Sequence, residues 1–364
     1  MRYGLYILCA AFFLGCDKKG ELPALPRETF DADQAARPEL GVFEKVGYWD
    51  QTIEGQTAAG TTNRTEALMF VDWGLKGHHL VSETQVQSSG NFNFLRMRLR
   101  SGSDESEIKP ADYSKYNLVI KNYNELAEVR PYQSVWVQDG LIYGFSGAWD
   151  NKSKQLEWIQ TYPLGNSDVQ LNVIEKYSNK NKKLLSFEVT DKGQVVSRGK
   201  IEGKHRSDGK KEKSVSVSPL PEIARLGRKG VWQESQTIPH DDGPIVIRGQ
   251  SKMRWSRDGR ALINEGVLYT KGRPEYYLWV KTWDAVERLY RYAYFFEDGP
   301  VHHYVGEWDL VSKAIKWQST HPEGAIIITE SLKQPDKRTW NLMVKEGKWV
   351  TQGSGESWFY DSDK

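Results

Sequence analysis

GAWDNKSKQLEWIQTYPLG, Gly147–Gly165, returns later in the chain as GEWDLVSKAIKWQSTHPEG, Gly306–Gly324. Gly, Trp, Asp, Ser-Lys, Trp, Thr, Pro and Gly keep their places while almost everything between them changes. In Gly-x-Trp-Asp followed by a second Trp, the Asp, the Asn or Ser and the Lys build a hairpin turn, and the two Trp residues stand on the flanking strands. Trp149 and Trp158 fill these places in one copy and Trp308 and Trp317 in the other. Truncating such an aromatic in a core costs about 3–5 kcal/mol, which is reason enough to keep it. What is repeated is therefore read as a turn and its packing.

Working outward, PELGVFEKVGYW (Pro38–Trp49) aligns without a gap on PEIARLGRKGVW (Pro221–Trp232), pairing Trp49 with Trp232. GHHLVSE (Gly77–Glu83) matches GRALINE (Gly259–Glu265) one residue out of register, and Asp139-Gly140 matches Asp298-Gly299. These blocks fall in one order, which is an internal duplication. It predicts a first repeat over 38–203, a Ser-rich charged linker over 204–220 and a second repeat over 221–360. Pro-Glu at the head of each suits the first turn of a short helix, where Pro loses no hydrogen bond and the carboxylate meets the positive end of the dipole. The first copy carries an insertion, Ser101–Asn117, expected as a long surface loop.

Within each copy the apolar period is two. NFLRMRLR puts Leu95, Met97 and Leu99 on one face and Arg96, Arg98 and Arg100 on the other, as in a half-buried strand. RLYRYAYFFEDG and LLSFEVTDKGQVVSRG add strands punctuated by Asp-Gly and Lys-Gly turns. Many short strands without a long helix predict an all-β chain of antiparallel sandwiches or barrels. The short helix followed by Gly47-Tyr48-Trp49 and by Gly230-Val231-Trp232 resembles the start of lipocalin-type barrels, where the Trp plugs the closed end. Gly259-Arg260-Ala261-Leu262, Trp283-Asp284 and Gly306-Glu307-Trp308-Asp309 are similar to a broad group of uncharacterised bacterial lipocalin-like barrel proteins. The first copy departs at His78-His79 and Tyr123-Asn124. The resemblance implies two tandem antiparallel lipocalin-like β-barrels.

The chain opens MRYGLYILCAAFFLGCDKKG, with Arg2, an apolar run Tyr3–Leu14, Gly15 and Cys16. That order is a secretory signal over residues 1–15. The run is about half of the ~20 residues that a spanning helix needs. Phe13-Leu14-Gly15-Cys16 resembles the lipobox of bacterial lipoproteins, with Phe13 where that family usually has Leu. The resemblance implies lipid on Cys16, a tether over 16–37 containing Pro23 and Pro26, and a membrane-anchored protein of the cell envelope, because two acyl chains anchor stably. Asp17 resembles an inner-membrane retention signal of enteric bacteria, and inner and outer membrane both stay open. Cys9 leaves with the signal and Cys16 is acylated, so neither of the two cysteines remains for a disulfide or a metal.

Net charge is +2, with Lys and Arg spread along the chain, which excludes the clustered basic face that nucleic acid requires. No G-x-S-x-G elbow, H-E-x-x-H, P-loop or Rossmann fingerprint occurs, and no carboxylate pair is singled out by spacing. No catalytic residue, metal or cofactor is assigned. Residues adjacent on a strand face opposite ways, so neither His78-His79 nor His302-His303 brings both rings to one metal. Each reads as a solvated or hydrogen-bonded pair, the other reading being one inward His as a haem or metal ligand. His240-Asp241-Asp242-Gly243 reads as a turn, or else a divalent-ion loop. The arginine row reads as a solvent face. Trp279, Trp283, Tyr290, Tyr292 and Tyr294, on two neighbouring strands of the second copy, are the candidate ligand-binding residues, although one bulge reverses which alternate members face inward. The expected function is binding of a small apolar or aromatic ligand in the second lumen, opposite Trp232. The alternatives are an envelope scaffold that interacts with other proteins through filled barrels and, third, an enzyme of unassigned type.

Overall fold

The computed structural model describes residues 34–57, 59–86, 116–162, 169–207, 218–240, 243–270, 272–285, 287–297, 299–320, 325–346 and 349–360. Cys16 with its flanking signal, the row Arg96, Arg98 and Arg100, and the pair Asp241-Asp242 lie outside the described residues.

In the first module the strands are β1 (Gly47–Thr57), β2 (Thr62–Gly74), β3 (His79–Val86), β4 (Tyr116–Tyr123), β5 (Tyr132–Gln138), β6 (Leu141–Asp150), β7 (Gln155–Tyr162), β8 (Val169–Asn179), β9 (Lys182–Asp191) and β10 (Gln194–His205). Each pairs antiparallel with the next, and β10 returns to β1 with Trp49 opposite His205, closing a ten-stranded barrel. Tyr116 and Asn117, expected at the end of the inserted loop, already belong to β4, and Lys204 and His205 to β10.

The second module repeats the plan with β11 (Gly230–Ile238), β12 (Ile245–Trp255), β13 (Ala261–Thr270), β14 (Arg273–Asp284), β15 (Leu289–Phe296), β16 (Val301–Asp309), β17 (Ala314–Ser319), β18 (Ala325–Gln334), β19 (Lys337–Glu346) and β20 (Trp349–Tyr360). Here β20 pairs with β11, Phe359 opposite Trp232. The chain is thus two closed ten-stranded antiparallel barrels in tandem.

A short helical turn leads into each barrel, 3-10 over Pro38–Val42 and α over Pro221–Ala224, with Pro and Glu in its first turn. The turn hands over to Gly47 or Gly230, at φ +117° and +132°, a backbone region that a side chain would strain. Trp49 and Trp232, fully buried, follow two residues on. Their indole N–H groups donate to the carbonyls of Lys45 at 2.8 Å and Arg228 at 3.0 Å, tying the plug to the turn.

The repeated Gly-x-Trp-Asp block is the β6–β7 hairpin of one barrel and the β16–β17 hairpin of the other. The Asp150 carboxylate accepts from the backbone N–H of Lys152 at 2.9 Å and from the hydroxyl of Ser153. Asp309 accepts likewise from Val311 N–H at 2.8 Å and from the Ser312 hydroxyl at 2.7 Å. Lys154 and Lys313 then turn the chain at φ 55° and 50°. Gly147 and Gly306 face inward, and the rings of Trp158 and Trp317 lie against them. A Cβ on Gly147 would stand 2.7 Å from the Trp158 ring, and one on Gly306 closer still to that of Trp317. The glycine is retained because the ring uses its space.

Candidate functional site

Alternation along β14 and β15 turns Tyr277, Trp279, Lys281 and Trp283, and Tyr290, Tyr292, Tyr294 and Phe296, toward the lumen. A lysine on such a face needs a partner, and it has one: each lumen holds a buried charged layer.

In the first barrel the layer is Glu44, from the loop before β1, with Lys121 on β4, Glu175 on β8 and Lys183 on β9, all buried. Lys121 Nζ lies 2.8 Å from both Glu44 and Glu175, and Lys183 Nζ 2.8 Å from Glu44 and 3.3 Å from Glu175. The Tyr177 hydroxyl donates to Glu44 at 2.9 Å and the Trp158 indole to Glu175 at 3.2 Å. Burial alone would raise the Glu44 pKa, but the adjacent Lys121 and Lys183 ammonium groups hold it far below the usual carboxylate range. Burial would depress Lys183, yet Glu44 and Glu175 lift it above the ordinary lysine value. Two cations face two anions, and the layer is neutral.

In the second barrel Lys281 on β14 pairs with Glu330 on β18 at 2.5 Å. Arg338 on β19 reaches Glu330 at 3.3 Å and Glu234, on β11, at 3.8 Å. The Trp317 indole donates to Glu330 at 3.0 Å, and the Ser251 hydroxyl to Glu234 at 2.7 Å. Lys281 Nζ also stands 4.5 Å from the Trp279 ring and 5.1 Å from those of Tyr292 and Trp317. Burial, seconded by the Arg338 charge, pulls Lys281 down to about 8 against the pull of Glu330. Burial would raise Glu330, but Lys281 and Arg338 keep it below the usual carboxylate range.

The two layers correspond residue by residue: Lys121 with Lys281, Glu175 with Glu330, Lys183 with Arg338, and the capping indoles of Trp158 and Trp317. The fourth charge has moved. Gly227 occupies the aligned place of Glu44, and Gln51 that of Glu234, so one carboxylate has passed from loop to wall while the balance of charge stayed. The repeat is therefore more than a turn and its packing. The signal lay in VIKNYN and WVKTWD, where a lysine precedes Tyr123-Asn124 and Trp283-Asp284 by the same two places inside an apolar strand.

Above this layer the modules differ. The first lumen leaves a cavity of about 40 Å³, lined among others by Thr84, Trp136, Leu185 and Ile201. The second leaves about 170 Å³ in the half away from the helical turn, walled by Tyr277, Trp279, Tyr292, Tyr294, Trp317 and Trp340 and rimmed by apolar residues including Ile238, Leu268 and Ile328. The cause is readable in the pairing register. Gly266 lies opposite Tyr277 and Gly355 opposite Trp340. A Cβ on either would strike the facing ring, so both aromatics lie flat against the wall. The equivalent pairs in the first barrel are Thr84 with Asn117 and Ile201 with Leu185, whose side chains stand into the lumen.

Of the sequence-predicted ligand residues, Trp279, Tyr292 and Tyr294 line this cavity. Trp283 and Tyr290 also face inward but sit past the charged layer at the plugged end, their rings 4.7 Å apart, with the Tyr290 hydroxyl donating to the Glu222 carbonyl at 3.3 Å. Sequence reasoning missed Tyr277, Trp340 and the charged residues. His79 is fully buried at the head of β3 rather than solvated, and burial lowers its pKa to about 3, seconded by the His78 charge. His78 precedes the strand in a capping turn. His302 and His303 alternate on β16, and the His302 ring meets Phe296 edge-on at 5.7 Å. Among the described residues no three His, Cys, Asp or Glu side chains come together as a metal site.

No protein-family model matches the chain, and no curated protein does. Among solved structures, a protein of unknown function from the DUF3598 family of Nostoc punctiforme is similar over 86% of this chain and 96% of its own, at 13% identity and a TM-score of 0.25. A putative AttH from Nitrosomonas europaea is similar over 86% and 92%, at 10% identity and a TM-score of 0.19.

Proposed function

We propose that this chain is a membrane-anchored envelope lipoprotein whose second barrel binds a small apolar or aromatic molecule in its lumen. The observation that carries the reading is the aromatic-walled cavity of about 170 Å³ above a neutral charged floor. An apolar cavity of about 150 Å³ is already enough to hold a benzene-sized molecule. Tyr and Trp wall residues supply area together with N–H and O–H groups that orient a ligand. The test is native mass spectrometry of the protein from its host, followed by titration of tryptophan fluorescence with lipids, haem and hydrophobic metabolites. A copurified mass or saturable quenching is expected, and Ile328→Trp, which fills the lumen, is expected to abolish it. The absence of both a bound mass and quenching by any of these compounds would sink the reading. The smaller lumen of the first barrel favours a filled, supporting role for that module.

The anchor rests on the order of basic residue, apolar run, Gly15 and Cys16. Cys16→Ser is expected to move the protein from the membrane to the soluble fraction of its host. Retention in the membrane, with no acyl label on the unsubstituted chain, would defeat it.

A further inference from the structure

Five charged side chains line the second cavity: Glu234, Glu275, Lys281, Glu330 and Arg338. Four of them belong to the charged floor, where two carboxylates meet two cations. That leaves Glu275, on β14 two residues outward from Tyr277 and on the same face, opposite Leu268. It is partly buried, and among the described residues no cation pairs with it.

Aromatic rings gather beside it. Tyr277 and Tyr294 stack at 5.4 Å with 7° between planes, and Phe296 lies 4.9 Å from Tyr294. Ring faces attract cations, more strongly where water is displaced. The inner half of the lumen shows the complete arrangement, with Lys281 among Trp279, Tyr292 and Trp317 and paired to Glu330. The outer half has rings and a carboxylate, and among the described residues no cation is paired with that carboxylate.

We infer that the ligand of the second barrel is an amine: a small aromatic or apolar body seated among the rings, carrying a cationic nitrogen that meets Glu275 at the outer end of the cavity. This rests on the lumen-binding reading and narrows it. Burial pushes Glu275 up from the usual carboxylate range, so an arriving cation relieves a cost already present in the wall.

Three probes of one shape test it on the full mature chain by calorimetric titration: naphthylmethylamine, methylnaphthalene and naphthoate. The amine is expected to bind about tenfold tighter than the neutral compound, with naphthoate weakest. Glu275→Gln should collapse the amine-to-neutral ratio to near one, while Glu275→Asp keeps most of it. Equal or tighter binding of methylnaphthalene or naphthoate by the unsubstituted chain overturns the amine assignment and leaves the lumen reading standing. So does an amine preference that survives Glu275→Gln. Binding of none of the three overturns both.

Discussion

Lys121→Met is expected to destabilise the first barrel by about 3–5 kcal/mol, the cost of leaving a buried charge without its partner. Lys121 bridges Glu44 and Glu175, and without it Lys183 alone faces two carboxylates that burial keeps from water. The methylene stem of Met keeps most of the packing, so the loss reports charge. Adding Glu44→Gln to Lys121→Met restores neutrality and is expected to recover most of the stability, although Glu44→Gln alone destabilises by leaving a surplus cation. Urea unfolding of the single and double variants measures the coupling. If the double variant is no more stable than Lys121→Met, the neutral layer is not what holds this lumen together. The second barrel gives the parallel case, since Lys281→Met leaves Glu234 and Glu330 to share Arg338.

Stability of the first barrel is expected to fall as the pH drops below about 6.5, earlier than carboxylates alone dictate. His79 is the cause. In the unfolded chain it takes a proton near 6.5, whereas in the barrel burial holds it neutral until about 3. The folded pKa is the lower one, so the unfolded state binds the extra proton throughout that interval. The contribution is present in full above 6.5 and is lost as pH falls through 3, on the order of 5 kcal/mol in all. Glu44, also depressed, adds in the same direction once the pH passes below the ordinary carboxylate value of 4.5. A thermal-midpoint series from pH 7 to 4.5 should therefore slope downward, and His79→Gln should reduce the slope, leaving the part due to His78. An unchanged slope in that variant would remove His79 from the explanation.

The barrels were legible in the sequence because their determinants are local and apolar. The hairpin needs Asp, Ser and two Trp residues within one stretch, and the closing Trp follows its Gly by two places. The charged layer was not, because Lys and Glu are read by default as solvent-facing, and their partners stand 54 and 77 residues away for Lys121 alone. The movement of one carboxylate between Glu44 and Glu234 further hid the layer from a comparison of the copies. Facing was open for a related reason. Register shifts interrupt β8, β10 and β18, and each resets the alternation, whereas the β14–β15 pair runs without one, so every second residue of the aromatic stretch does reach the lumen. The cavity became readable only with the register known, since Gly266 and Gly355 have no meaning until Tyr277 and Trp340 are placed opposite them.

Closure of each barrel by its own first and last strands has a kinetic side. The contact between Trp49 and His205 spans nearly a whole module, and pairings so distant in sequence are slow to form because the loop entropy is spent before the contact repays it. Until Gln194–His205 has been synthesised, β1 and β9 each present a bare edge able to recruit strands from another chain. Duplication limits that exposure. The first module holds all ten of its strands before Gly230 is made, so at any moment of synthesis only one sheet stands open. A chain released before Trp349–Tyr360 leaves the ribosome as one closed barrel joined to one sticky sheet, and its fate is set by how soon that sheet meets another like it.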